Sequence, residues 1–267
     1  MKDLRKYMGL EVKLKDNFKL ELDIALLGGE FSSRTLTDIR KVLKDKIKIT
    51  DDPIYFMYRD VRERDDDEKI KNASLRFDIT VILPRILGSE FNKTLGHYHP
   101  LKEGTNTNYS EVYEVVSGKA LCLLQKPDKN PAKIESCYLV EVNEGEKIIM
   151  PSGFGHITIN PLTRPLVMTN WVSDDFSSDY EDIKKYHGGC YYIVEKENNK
   201  LGLKRNKNYK SIPEIIKARP KEQPRLGLKF NQPMYISGTR YIDKLKFLNF
   251  PEEHTEELKP ENIFELS

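Results

Sequence analysis

The 267-residue chain is 32% charged and 38% hydrophobic, with 44 Lys and Arg against 42 Asp and Glu and a formal net charge of +2. So balanced a composition offers no general attraction to nucleic acid or to an anionic membrane surface. No apolar run reaches the roughly 20 residues a membrane helix needs, and the first residues lack the apolar core and small-residue cleavage site of a signal peptide; a cytoplasmic protein is expected. The three cysteines, Cys122, Cys137 and Cys190, are odd in number and show no CxxC spacing, which argues against a disulfide framework or a zinc knuckle.

In chain order, EVKLKDNFKLELDI alternates enough to predict one or two strands. RTLTDIRKVLKDK (34–46) places Leu36, Ile39, Val42 and Leu43 at helical spacing. PIYFMYRDV and SLRFDITVILP are β-branched and aromatic, and read as two strands joined by a hairpin loop over RERDDDEKIKN. SEVYEVVSGKALCLLQ carries a Ser-Gly turn between two strands. CYLVEVNEGEKIIMPSG, HITINP and RPLVMTNWVS continue the pattern, and SSDYEDIKKYHGG reads as a short helix ended by glycine. Many short, closely spaced strands predict an all-β sandwich or barrel. Beyond residue 196 the chain turns rich in Lys, Asn and Pro, with Tyr235, Leu245, Phe247, Leu248 and Phe250 available to pack it down. The expected organisation is an N-terminal segment 1–50 packing on the barrel, a barrel 51–195 holding the functional site, and a C-terminal extension 196–267.

The segment TLGHYHP (94–100) puts two of only five histidines one residue apart. On a strand, residues i and i+2 share a face, so His97 and His99 point together, and two imidazoles on one face suit a divalent transition metal. Downstream, EVYEVVSG supplies Glu111 and, after six residues, Gly118. GEKIIMPSGFGHITIN supplies Gly145, Pro151, Ser152, Gly153, His156 and Asn160. Three imidazoles and a carboxylate leave positions open on a five- or six-coordinate metal for a substrate oxygen. His187 and His254 lie outside this pattern and are expected at or near the surface.

H-x-H, then E-x6-G, then G-x5-P-S-G-x2-H-x3-N resembles the paired motifs of the cupin superfamily. Within that pattern Glu103 and Glu114 compete with Glu111. Glu103 lies nearer the H-x-H, but only Glu111 has the glycine behind it, and Glu114 faces the other way in an unbroken strand. The longer string LRFDITVI, KTLGHYHP, SEVYEVVSGKALCLLQ and MPSGFGHITIN resembles the cupin-type phosphoglucose isomerases of archaea and some bacteria, over roughly residues 50–195.

That resemblance implies a cupin, a double-stranded β-helix or jelly-roll barrel, with a few peripheral helices and a C-terminal extension. It implies interconversion of glucose 6-phosphate and fructose 6-phosphate by proton transfer through a cis-enediolate. One divalent metal per subunit, Fe, Mn, Ni or Zn, would sit on His97, His99, Glu111 and His156, in a homodimer. Glu111 would act as base, Tyr113 on the same strand face could touch the sugar, and Thr80, Thr94 and Gly96 would hold the phosphate. Lys93 and Arg76 are cations nearby in sequence, expected to face solvent. Two positions depart from the family: Trp171 stands where a tyrosine lines the sugar site, allowing a one-residue slip, and Ser178 where a histidine is expected; Tyr180 remains. A mannose 6-phosphate or other sugar-phosphate isomerase is the alternative within enzymes of this kind. A non-isomerase metal cupin, either an Fe(II) oxygenase or a sugar-binding protein, is the alternative outside it.

Overall fold

The computed structural model describes residues 1–197 and 200–266. Its principal strands are β1 (Glu30–Thr35), β2 (Pro53–Arg59), β3 (Leu75–Ile82), β4 (Glu111–Ser117), β5 (Lys119–Pro127), β6 (Ile134–Asn143), β7 (Lys147–Met150), β8 (Gly155–Ile159), β9 (Leu166–Ser173), β10 (Ile216–Pro220) and β11 (Phe264–Leu266). They form a six-stranded sheet of order β7-β4-β9-β3-β2-β1 and a five-stranded sheet of order β8-β5-β6-β10-β11. All neighbours are antiparallel except β6 and β10. From β4 onward the chain passes between the sheets: β4 in the first, β5 and β6 in the second, then β7, β8 and β9 in alternate sheets. This is jelly-roll connectivity, and the all-β cupin architecture expected from the sequence is the one the chain adopts. The Ser-Gly turn is the corner where the chain leaves one sheet for the other. Gly118 has φ +103 there, and a Cβ would meet Pro165 O at 3.2 Å, so glycine alone fits without strain.

The central strands are buried on both faces because both faces are covered. Every residue of β9 is buried. Its inner face looks into the barrel, and its outer face lies beneath the helix Met234–Arg240. There Trp171 stacks on Tyr235 with ring centroids 5.9 Å apart, and its Nε1 donates to Met234 O at 3.2 Å. Beside it, Glu114 takes Lys147 Nζ at 2.8 Å and Met234 N–H at 2.7 Å. Of the residues singled out in the tail, Tyr235, Leu245, Phe247 and Leu248 are buried, while Phe250 is exposed with Lys102 Nζ 4.2 Å above its ring.

Two expectations are corrected. The loop between β2 and β3 is not irregular: Asp67–Asn72 is helical. Asp67 and Glu68 in its first turn complement the positive end of the helix dipole, and buried Ile70 anchors it. The helix expected over 34–46 is shorter. Thr35 caps Leu36–Ile39 through a reciprocal pair with Asp38, and a 3-10 turn, Arg40–Val42, follows. Leu36, Ile39, Val42 and Leu43 are nonetheless all buried, so the apolar spacing marked the packing face rather than the helix length. The three cysteines are buried and unpaired. No helix among the described residues is long and apolar enough to cross a membrane.

Candidate metal centre

Four side chains converge inside the barrel. The segment carrying the H-x-H runs beside β8, with His97 and His156 exchanging backbone hydrogen bonds of 3.2 and 3.0 Å. Glu111 opens β4, opposite Val172 of β9. Ligand atoms of His97, His99, Glu111 and His156 all lie within 4.8 Å of one another. Glu111 Oε2 is 3.3 Å from His99 Nε2, 3.5 Å from His156 Nε2 and 4.0 Å from His97 Nε2. Gly96, at φ +79, holds the chain so close to β8 that a Cβ would fall 2.4 Å from Ile157 Cγ1.

Two of the four are oriented from behind. Glu111 Oε1 accepts from Asn170 Nδ2 at 2.6 Å, leaving Oε2 for the imidazoles. His99 Nδ1 lies 3.0 Å from Tyr109 O. A carbonyl can only accept, so Nδ1 carries the proton and Nε2 presents its lone pair to the cluster. Glu111 Oε2 and both ring nitrogens of His156 are buried without a hydrogen-bond partner. Unpaired buried polar atoms are costly, and their convergence on one point is what an ion would satisfy. Three imidazoles and one carboxylate suit a divalent transition metal, so the residues present fit such an ion.

The electrostatics agree. Burial pushes His97 well below the ordinary histidine value, helped by His156 and His99, and burial also lowers His156. Both imidazoles are therefore held neutral. For Glu111 burial works upward, but the His156 and His99 rings beside it outweigh this and hold the carboxyl well below the usual range. Burial, reinforced by Glu111, raises the Tyr113 phenol well above its ordinary value, so it stays protonated.

The cluster opens into a cavity of about 570 Å³ whose wall includes Thr80, Thr94, Gly96 and Tyr113. Every candidate ligand and substrate residue from the sequence thus meets in one space. The competitors do not: Glu103 is exposed, and Glu114 points outward into its pair with Lys147. His187 is exposed, bonded through Nδ1 to Lys41 O at 3.1 Å, and His254 pairs with Glu257 at 2.7 Å.

Three expectations change. Trp171 does not line the cavity; alternation along β9 turns Asn170 and Val172 inward and Trp171 outward, and Val172 holds the wall position. Lys93 is buried, its Nζ donating to Val42 O at 2.9 Å and to Glu90. Arg76 lies in the cavity wall rather than in solvent. Ser178 and Tyr180 are in the wall as well, with Tyr180 5.5 Å from the His97 ring. Sequence reasoning missed Asn170, Arg59 and buried Asp78. The alternation Arg76-x-Asp78-x-Thr80 on a predicted strand was the available signal.

A family model described as glucose-6-phosphate isomerase (GPI) matches residues 33–212. The glucose-6-phosphate isomerase of Thermococcus litoralis is 27% identical over 208 residues, covering 74% of this chain and 100% of that protein. That of Thermococcus onnurineus is 26% identical over 207 residues, 76% of this chain and 100% of that protein. A solved oxalate decarboxylase of Bacillus subtilis aligns over 51% of this chain and 29% of that chain, at 20% identity and a TM-score of 0.33, too partial to bear on the site. The four converging side chains all lie inside the matched region, and the match spans well over half the sequence: the chain belongs to the glucose-6-phosphate isomerase family.

Proposed function

We propose that the chain interconverts glucose 6-phosphate and fructose 6-phosphate at this cluster by proton transfer through a cis-enediolate. The observation that carries the reading is the convergence of His97, His99, Glu111 and His156 in a cavity also walled by Thr80, Thr94 and Gly96. The four would hold one divalent ion, Fe, Mn, Ni or Zn, per subunit of a cytoplasmic homodimer. Such an ion supplies Lewis-acid stabilisation of charge developing on the substrate oxygens.

The remaining work falls to side chains. Glu111, ionised at neutral pH and steadied by Asn170, is the group to move a proton between C2 and C1. Tyr113, kept protonated, donates a hydrogen bond toward the sugar. Thr80 and Thr94 offer hydroxyls to the phosphate; Thr94 Oγ1 already accepts Thr158 N–H at 3.0 Å, so its own O–H is free to donate inward. Phe176 covers His99 at 4.7 Å between ring centroids and helps keep water from the reacting carbons.

The test is conversion of fructose 6-phosphate in deuterium oxide. Glucose 6-phosphate is expected to form and to carry deuterium at C2, because a proton held on a carboxylate exchanges with solvent. No conversion by metal-loaded, folded protein would sink the activity. Conversion without deuterium would sink the proton transfer and favour a hydride shift. Mannose 6-phosphate in the product would assign the alternative epimer.

A further inference from the structure

The cavity has a cation that the reading above does not use. On β3 the residues Arg76, Asp78 and Thr80 share the inner face, and on β2 Met57 stands directly opposite Thr80. Asp78 is 0% exposed and is the hub of a charged cluster. It accepts Arg59 Nη1 at 2.5 Å, Arg76 Nε at 3.0 and 3.1 Å, and Asp60 N–H at 2.9 Å. Arg76 goes on to Asp174 at 3.0 Å, at the root of the segment that carries Phe176, Ser178 and Tyr180 over the cavity. Arg76 is thus engaged at both ends of its guanidinium.

Arg59 is not. Its second contact is Nη2 to Met57 Sδ at 3.2 Å, and a thioether is a weak acceptor. Its remaining N–H groups have no protein partner among the described residues, and its side chain, 36% exposed, forms part of the cavity wall. The contact with Met57 turns the guanidinium along β2 toward the Thr80 row. The other groups proposed for the phosphate, Thr80, Thr94 and Gly96, are all neutral. Asp174 takes up part of Arg76, whereas Arg59 keeps N–H donors without a protein partner that are presented to the cavity.

We propose that Arg59 is a substrate-binding residue that takes the phosphate of the sugar phosphate together with Thr80, and that Asp78 positions it. This rests on the sugar-phosphate reading of the site. Arginine suits the role because its planar fork matches phosphate oxygens and stays charged at any working pH. Held in place by Asp78, it loses little conformational freedom on binding. It makes Arg59 the residue that separates phosphorylated from free sugars.

The probe is glycerol 3-phosphate, a phosphate monoester with no carbonyl to isomerise, added to metal-loaded protein and followed by calorimetry and as a competitive inhibitor. Arg59→Met keeps the aliphatic stem and removes the charge. It is expected to weaken glycerol 3-phosphate binding and to raise KM for fructose 6-phosphate by about tenfold or more, with kcat changed by less than about threefold and metal content unchanged. Arg59→Lys is expected to fall between the two, and the dependence of kcat/KM on ionic strength to shrink in Arg59→Met. Equal binding of glycerol 3-phosphate by wild type and Arg59→Met would overturn the proposal. So would a loss of metal, melting temperature and kcat together with KM unmoved, the pattern of a structural tie. The binding arm needs no turnover, so failure of the isomerase reading would show as inactive wild type without altering the comparison.

Discussion

Leucine at His156 is expected to abolish tight metal binding and to lower kcat/KM by on the order of a thousandfold, while leaving the metal-free protein as stable as wild type or more so. The sign of the stability change is the informative part. Both ring nitrogens of His156 are buried without hydrogen-bond partners, so without an ion their desolvation is a cost to the fold, offset only by the pull of the ring on Glu111. An apolar side chain of similar size removes that cost. In wild type an ion present at a thousand times its Kd adds about 4 kcal/mol to stability by mass action. Thermal melts with and without added Mn or Zn check this: the metal-dependent rise expected in wild type should be absent in His156→Leu. A variant that loses stability in both conditions would mean that the ring is there for packing.

The second large effect lies on the outer face of the same sheet. Lys147 and Glu114 are both buried, and replacing Lys147 by Met is expected to cost about 3–5 kcal/mol because it strands a carboxylate. The double variant Glu114→Leu/Lys147→Met should recover most of that loss, since an apolar pair of similar volume avoids the desolvation of both charges. The penalty should depend on pH. Burial already pushes Glu114 up to about 7, against the opposing pull of Lys147. A carboxyl raised in the folded state above its unfolded value contributes stability below about pH 4.5 that is lost as pH rises through the folded pKa. Without Lys147 that pKa rises further, so the cost of Lys147→Met should be small near pH 4.5 and clearly larger at pH 8. Denaturant unfolding at the two pH values measures it; a pH-independent penalty would show that the pair contributes by packing alone.

The candidate metal cluster was legible because its chemistry restricts residue type and spacing at once. Two imidazoles two apart on a strand, a carboxylate and a third imidazole leave few other readings, and all four meet in the barrel. What could not be read was which face of each strand looks inward. Shifting β9 by one residue exchanges Trp171 for Val172 at the cavity wall, and nothing local to TNWVS decides between them. The decision comes from the tail, where Tyr235 and Met234 O claim the indole, some 60 residues downstream. The Lys- and Pro-rich composition of that tail concealed a helix whose first backbone N–H bonds Glu114. Arg59 and Arg76 were hidden for a similar reason: the carboxylate that draws both into the wall sits on β3, 19 residues beyond Arg59, and a lone arginine ordinarily faces solvent.

The most direct test of the central claim is a titration of isomerase activity against bound metal. Protein stripped by chelator is reloaded in steps with Mn, Fe, Ni or Zn, with metal measured by elemental analysis and glucose 6-phosphate formation followed from fructose 6-phosphate. Activity should rise in proportion to bound metal and reach its plateau at one ion per chain, and His156→Leu should stay on the baseline throughout. Full activity in protein shown to be free of metal would contradict the account.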